Sequence, residues 1–134
     1  MLRTMRDRIR ERLTEYRSQA LNGIAVAEDT TKAAFGRSRS DMFYRAISRD
    51  NENGVTEYMD RSADFIRRLA RGSGAEYADE LHDAGHKLKQ EIMAKMDREN
   101  HLAGALPGNS TRVQLRNELE AALDRLIKHK VEDF

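Results

Sequence analysis

Apolar residues recur every three or four positions over most of this chain, and that spacing constrains its fold more than any other feature. At the amino terminus Leu2, Met5, Ile9, Leu13, Tyr16, Ala20, Ile24 and Ala27 follow one another in steps of three or four. A helix turns such a series onto one face because it advances about 100° per residue. The spacing predicts one long amphipathic helix over residues 2–27. Leu2, Leu13 and Ile24 repeat every eleven residues, a period of about 3.67 per turn that keeps the stripe almost straight. Asn22-Gly23 is its weak point, since a glycine inside a helix costs about 1 kcal/mol against alanine.

Residues 28–40 read as a polar connector, with at most a turn of helix around Lys32 to Phe35. Ser38 and Ser40 are candidate N-caps for a short helix near 41–49 carrying Met42, Phe43, Ala46 and Ile47. The cluster Asp50-Asn51-Glu52-Asn53-Gly54 has the composition of a turn and is expected to end it. A helix over 55–71 then places Val55, Tyr58, Met59, Ser62, Phe65, Ile66 and Leu69 on one arc of about 120°. Gly72-Ser73-Gly74 ends it, and Ser73 with Glu76 has capping-box spacing. A helix over 75–99 turns Tyr77, Leu81, Ala84, Leu88 and Ile92 inward. Residues 100–110 read as a loop with Leu102 and Leu106 as apolar anchors. A last helix over 111–132 opens on the capping pair Thr111 and Gln114 and carries the broadest apolar face, from Leu115 to Ile127. It is the expected central helix.

Alternating β-branched runs are missing and proline occurs once, at Pro107. The expectation is an all-α protein: an antiparallel bundle of about four principal helices plus one short helix, with a long N-terminal amphipathic helix. At 134 residues, one domain over 1–134 is expected. Zero cysteines exclude disulfides and thiolate sites. No apolar run approaches the roughly 20 residues that span a bilayer, so no membrane partner is expected. The opening MLRTMRDRIRERL lacks a continuous apolar segment, so no secretory signal is read there. Cytoplasm is the expected location.

Leu, Ile, Val and Phe number 26 of 134, just under the rough 20% that marks a thin core. A lean bundle gains from burying more apolar area against a partner. A homo-oligomer such as a dimer, or a complex with another protein, is therefore expected.

Charge is uneven. Residues 1–49 carry 11 basic and 6 acidic side chains, although the whole chain has a net charge of +1. Basic residues beside aromatics bind phosphates and stack bases. Arg3, Arg6, Arg10, Arg17, Arg37, Arg39 and Arg45 are accordingly the candidates for nucleic-acid contact, with Asp7, Glu11 and Glu15 interrupting any continuous basic surface.

The segment from Asp79 to His86 holds two Asp-x-x-His steps, and Asp79, His82, Asp83 and His86 are the candidate metal ligands. Acid-x-x-His pairs hold metals in bundles only when they point inward from two helices. Helical phasing turns these four outward, together with Glu76 and Glu80, and no second helix repeats the motif. Residues 49–60 resemble a calcium loop in spacing, but Arg49 falls where the first carboxylate is required, leaving a helix-linking turn. The four histidines show no serine or acid partner for nucleophilic catalysis. No catalytic residue, metal or cofactor is assigned. The leading expectation is a non-enzymatic interaction or regulatory protein that binds another protein or a second copy of itself. A nucleic-acid-binding regulator is the alternative, and a metal-dependent bundle enzyme the second alternative.

Overall fold

The computed structural model describes residues 4–72, 74–103 and 110–134. Four helices account for nearly all of them: α1 (Met5–Phe35), α2 (Asp41–Ala70), α3 (Ala78–Ala103) and α4 (Ser110–Glu132), with a 3-10 turn at Gly74–Tyr77 before α3. No strand occurs among the described residues. None of their helices is long and apolar enough to cross a membrane. Leu2, Arg3, Ser73 (and with it the expected Ser73–Glu76 cap), Leu106 and Pro107 lie outside the described residues, while Glu76 lies within them.

α1 starts where Thr4 accepts from the Asp7 N–H at 3.1 Å and Asp7 accepts in return from the Thr4 N–H at 3.3 Å, a reciprocal cap that satisfies two donors. Its inner face is the expected stripe: Ile9, Leu13, Tyr16 and Ile24 are buried. The helix then runs past Gly23 and past residue 27, so the expected connector shrinks to the short turn after Phe35. Inter-helix contacts hold the extra turns. Glu28 is 2% exposed, Thr31 Oγ1 donates to Asp50 at 2.7 Å, and the Phe35 ring meets Phe43 edge-on at 5.6 Å.

α2 begins at the N-cap Ser40, whose hydroxyl accepts from the Phe43 N–H, and crosses the expected turn without a break. The short helix near 41–49 and the helix over 55–71 are one 30-residue rod, about 45 Å long. Asp and Asn favour turns because their side chains compete for backbone groups. Here Asp50 and Asn51 are engaged by α1. Asp50 accepts from Thr31, while the buried Asn51 donates to Glu28 at 2.9 Å and to the Ile47 carbonyl at 2.8 Å. Gly54 is where α1 comes closest: a Cβ there would stand 2.3 Å from Ile24 Cγ1. The turn composition is thus a helix crossing.

α1 and α2 run antiparallel, from Phe35–Phe43 at one end to Tyr16–Phe65 towards the other. Cross-links from Arg6–Asp79 to Glu28–Lys95 make α3 parallel to α1, and Asp97–Arg116 with Lys89–Asp124 make α4 antiparallel to α3. α2 and α3 form the middle of the bundle, each packed against all the other helices, and α1 and α4 flank them on opposite sides. The centre therefore belongs to α2 and α3 rather than to α4, despite α4's broad apolar face. One core joins all four helices through Ile9, Leu13, Val55, Met59, Leu81, Leu88, Leu123 and Ile127. Gly85 on α3 lets Met59 and Ile127 close over it, at 2.9 and 3.0 Å from where a Cβ would stand.

Candidate functional site

The histidine segment lies on the outer side of α3. His82 and His86 stand one helical turn apart, their ring centroids 4.4 Å from each other and their planes tilted by 53°. His82, Asp83 and Asp79 are exposed, and Asp79 is taken by Arg6 at 2.8 Å. The hydrogen bond from Arg6 holds the Asp79 carboxyl below the usual range. Desolvation first, then the neighbouring His82 and Lys89, holds the His86 imidazole below its ordinary pKa. No group of three or more His, Asp or Glu side chains is arranged to hold a metal among the described residues.

Glu80 departs from the outward face expected for it. It is 5% exposed and sits at the α1–α3 seam, where Arg10 Nε donates to both carboxylate oxygens at 2.9 and 3.0 Å and Arg6 Nη1 to one at 3.1 Å. Its position one residue before Leu81 puts it at the edge of the inward arc.

These pairs change the basic surface read from the sequence. Arg6 and Arg10 are committed to Asp79 and Glu80, and Arg17 lies 3.8 Å from Glu91. Arg39 donates to the Gly36 and Ser38 carbonyls at 2.7 and 3.0 Å and rests over the Phe43 ring at 4.4 Å. Of the six candidate arginines among the described residues, Arg37 and Arg45 have neither a carboxylate nor a carbonyl partner there. The structure does not assemble the six described candidates, Arg6, Arg10, Arg17, Arg37, Arg39 and Arg45, into one patch.

Two concave surfaces lie instead near the end of the bundle that holds the α1–α2 turn. The first is a groove of about 400 Å³ between the parallel helices α2 and α4. Leu115, Leu119 and Ala122 form its floor, and Arg45, Arg49 and Arg125 stand on its rim with Glu52 and Glu118. None of the three arginines is in an ion pair among the described residues.

The second is a recess of about 140 Å³ where all four helices contribute. Phe43, Ile47 and Met96 line its apolar part, and Glu28 closes one wall. That buried carboxylate is satisfied by Asn51 at 2.9 Å and by Lys95 Nζ at 2.9 Å. Lys32, Arg39 and Arg112 carry positive charge into the recess, and the Arg112 guanidinium lies 4.5 Å over the Tyr44 ring. Sequence reasoning missed this place, although Glu28 stands four residues beyond Ile24 and Asn51 four beyond Ile47, each in phase with an apolar stripe. A polar residue in that phase is a signal of a buried polar pair.

Comparison with protein-family models, with curated proteins and with solved structures returns no match to this chain.

Proposed function

We propose that this protein is a non-enzymatic interaction module, and that the groove between α2 and α4 receives an acidic amphipathic helix of a partner protein. The observation that carries the reading is the pairing of an apolar floor, Leu115, Leu119 and Ala122, with three arginines that make no ion pair among the described residues. At several places along the helix seams, by contrast, charges are matched across helices, as in Arg6–Asp79, Lys89–Asp124, Lys95–Glu28 and Arg116–Asp97. Apolar side chains of an incoming helix would dock on the floor, and its carboxylates would meet the rim, the arrangement by which helix-in-groove recognition combines affinity with register. The long first helix lends no separate support to self-association, because α2 matches it in length and covers it.

The test uses a charge-reversed triple variant, Arg45→Glu, Arg49→Glu and Arg125→Glu, all exposed positions. Wild type immobilised in an extract of its source is expected to retain a partner that the variant with unchanged melting temperature does not, with retention falling as salt rises. Equal retention by both proteins, or none by either, defeats the reading. Sedimentation velocity on the wild type alone tells whether the occupant is a second copy, which would replace the partner helix in this account.

A nucleic-acid-binding role stands as the second reading, supported by Arg37 and Arg45 together with Arg49 and Arg125 rather than by the arginines of α1. A mobility-shift titration in which affinity does not fall with rising salt disposes of it. The metal-enzyme reading through Asp79, His82, Asp83 and His86 has the least support, since Asp79 is committed to Arg6.

A further inference from the structure

We infer that the recess lined by Phe43, Ile47 and Met96 is a binding site for a small organic anion, with its apolar body on that floor and its carboxylate or phosphate between Arg39 and Arg112. Four observations carry this. The space is about 140 Å³, close to the roughly 150 Å³ at which an apolar cavity accepts a single benzene ring. Its floor is apolar and largely buried, with Phe43 at 3% and Ile47 at 5% exposure.

The charge around it is one-sided. Lys32, Arg39 and Arg112 face the recess and make no ion pair with a carboxylate among the described residues. Of the two acids that line it, Glu28 is already neutralised by Lys95 at 2.9 Å, which leaves Glu99 against three cations.

The guanidiniums are also held in place before any ligand arrives. Arg39 is fixed by two carbonyls of the α1–α2 turn and by the Phe43 ring, and Arg112 by the Tyr44 ring. A planar guanidinium with free N–H groups takes carboxylate or phosphate in a two-point fork, and a side chain already ordered loses less entropy on binding. A ring on the floor and a fork at the mouth together describe a one-ring acid or aryl phosphate.

The experiment titrates the whole protein with benzoate, with phenyl phosphate and with the neutral benzamide, following the methyl signals of Ile47 and Met96 by NMR. The inference expects saturable shifts from at least one of the two anions, and affinity for benzamide at least about tenfold lower. Saturation by phenyl phosphate alone assigns the phosphate head group, and saturation by benzoate the carboxylate. In the variant Arg39→Gln/Arg112→Gln the anion affinity falls by about tenfold or more while the melting temperature holds. Because Arg39 also fastens the turn, Lys32→Gln/Arg112→Gln serves as the variant that leaves the turn alone. Three results each overturn the inference: no saturation by either anion up to about 10 mM, benzamide binding as tightly as the anions, or unchanged affinity in a folded variant.

Discussion

Two glycines inside helices should respond to alanine with opposite signs. A Cβ at Gly23 meets nothing within 4 Å, whereas a Cβ at Gly54 stands 2.3 Å from Ile24 Cγ1 and 2.6 Å from Cδ1. Alanine in a helix interior is favoured over glycine by about 1 kcal/mol. At position 23 nothing opposes that gain, so Gly23→Ala should stabilise by about 0.5–1 kcal/mol. At position 54 the same gain meets an overlap that must be relieved. Ile24 is 4% exposed, and a β-branched side chain in a helix has essentially one χ1 setting, so α1 itself must retreat from α2. Overpacking costs about 1–3 kcal/mol, and with Cγ1 rather than a free chain end in the way the upper part of that range applies. The net for Gly54→Ala is a loss of about 1–2 kcal/mol. Urea titrations followed by far-UV circular dichroism measure both, and thermal melts should separate the variants by several degrees, at about 3–4 °C per kcal/mol for a chain of this size. The double variant Ile24→Ala/Gly54→Ala supplies the control: with Cγ1 and Cδ1 gone, alanine at 54 should recover its helix gain, a coupling of about 2–3 kcal/mol. If Gly54→Ala is as stable as wild type, α1 and α2 do not cross where the structure puts them. If Gly23→Ala is destabilising, the space above that residue is filled in solution.

Further tests address single features of the bundle. Tyr58, 2% exposed, donates its hydroxyl to the Leu13 carbonyl at 3.0 Å, so Tyr58→Phe should cost about 1 kcal/mol by chemical denaturation, with no loss expected if that bond is absent. Arg71 caps α2 at φ 49°, ψ 53°, a left-handed conformation that costs a side chain about 1 kcal/mol and glycine little, so Arg71→Gly should raise the melting temperature by a few degrees. The His86 imidazole has its pKa lowered in the folded state, so the unfolded chain binds the proton more readily and stability is lost as pH falls below the ordinary histidine value of about 6.5. That part of the pH dependence should vanish in His86→Gln, as read from melts between about pH 8 and 5. In the same way, Arg116 hydrogen bonds lower the pKa of Asp97, so their stabilising contribution is present above the ordinary Asp value and fades as pH drops below about 4. Asp97→Asn should flatten the acid limb.

Much of the fold was legible in periodicity alone. The stripe of α1, the inward arc from Val55 to Leu69, the run Leu81, Ala84, Leu88 and Ile92, and the Ser40 cap all stand where spacing and residue chemistry predict them. Each is a local matter, decided within a turn or two of helix. Tertiary structure decided three things that local preference misread. Residues 28–35 are helix because Glu28, Thr31 and Phe35 meet partners on α2 and α3. The cluster Asp50 to Gly54 is helix because α1 occupies the side chains of Asp50 and Asn51 and presses Ile24 against its glycine. Arg6, Arg10 and Arg17 of α1 are seam residues rather than a free basic patch because Asp79, Glu80 and Glu91 come to them from α3. Turn and helix preferences amount to about 1 kcal/mol or less per residue, and a satisfied buried hydrogen bond or a close helix contact is worth as much or more. Partners lying 19 to 74 residues away in the chain can therefore overrule them, and no window of sequence contains both halves of such a pair.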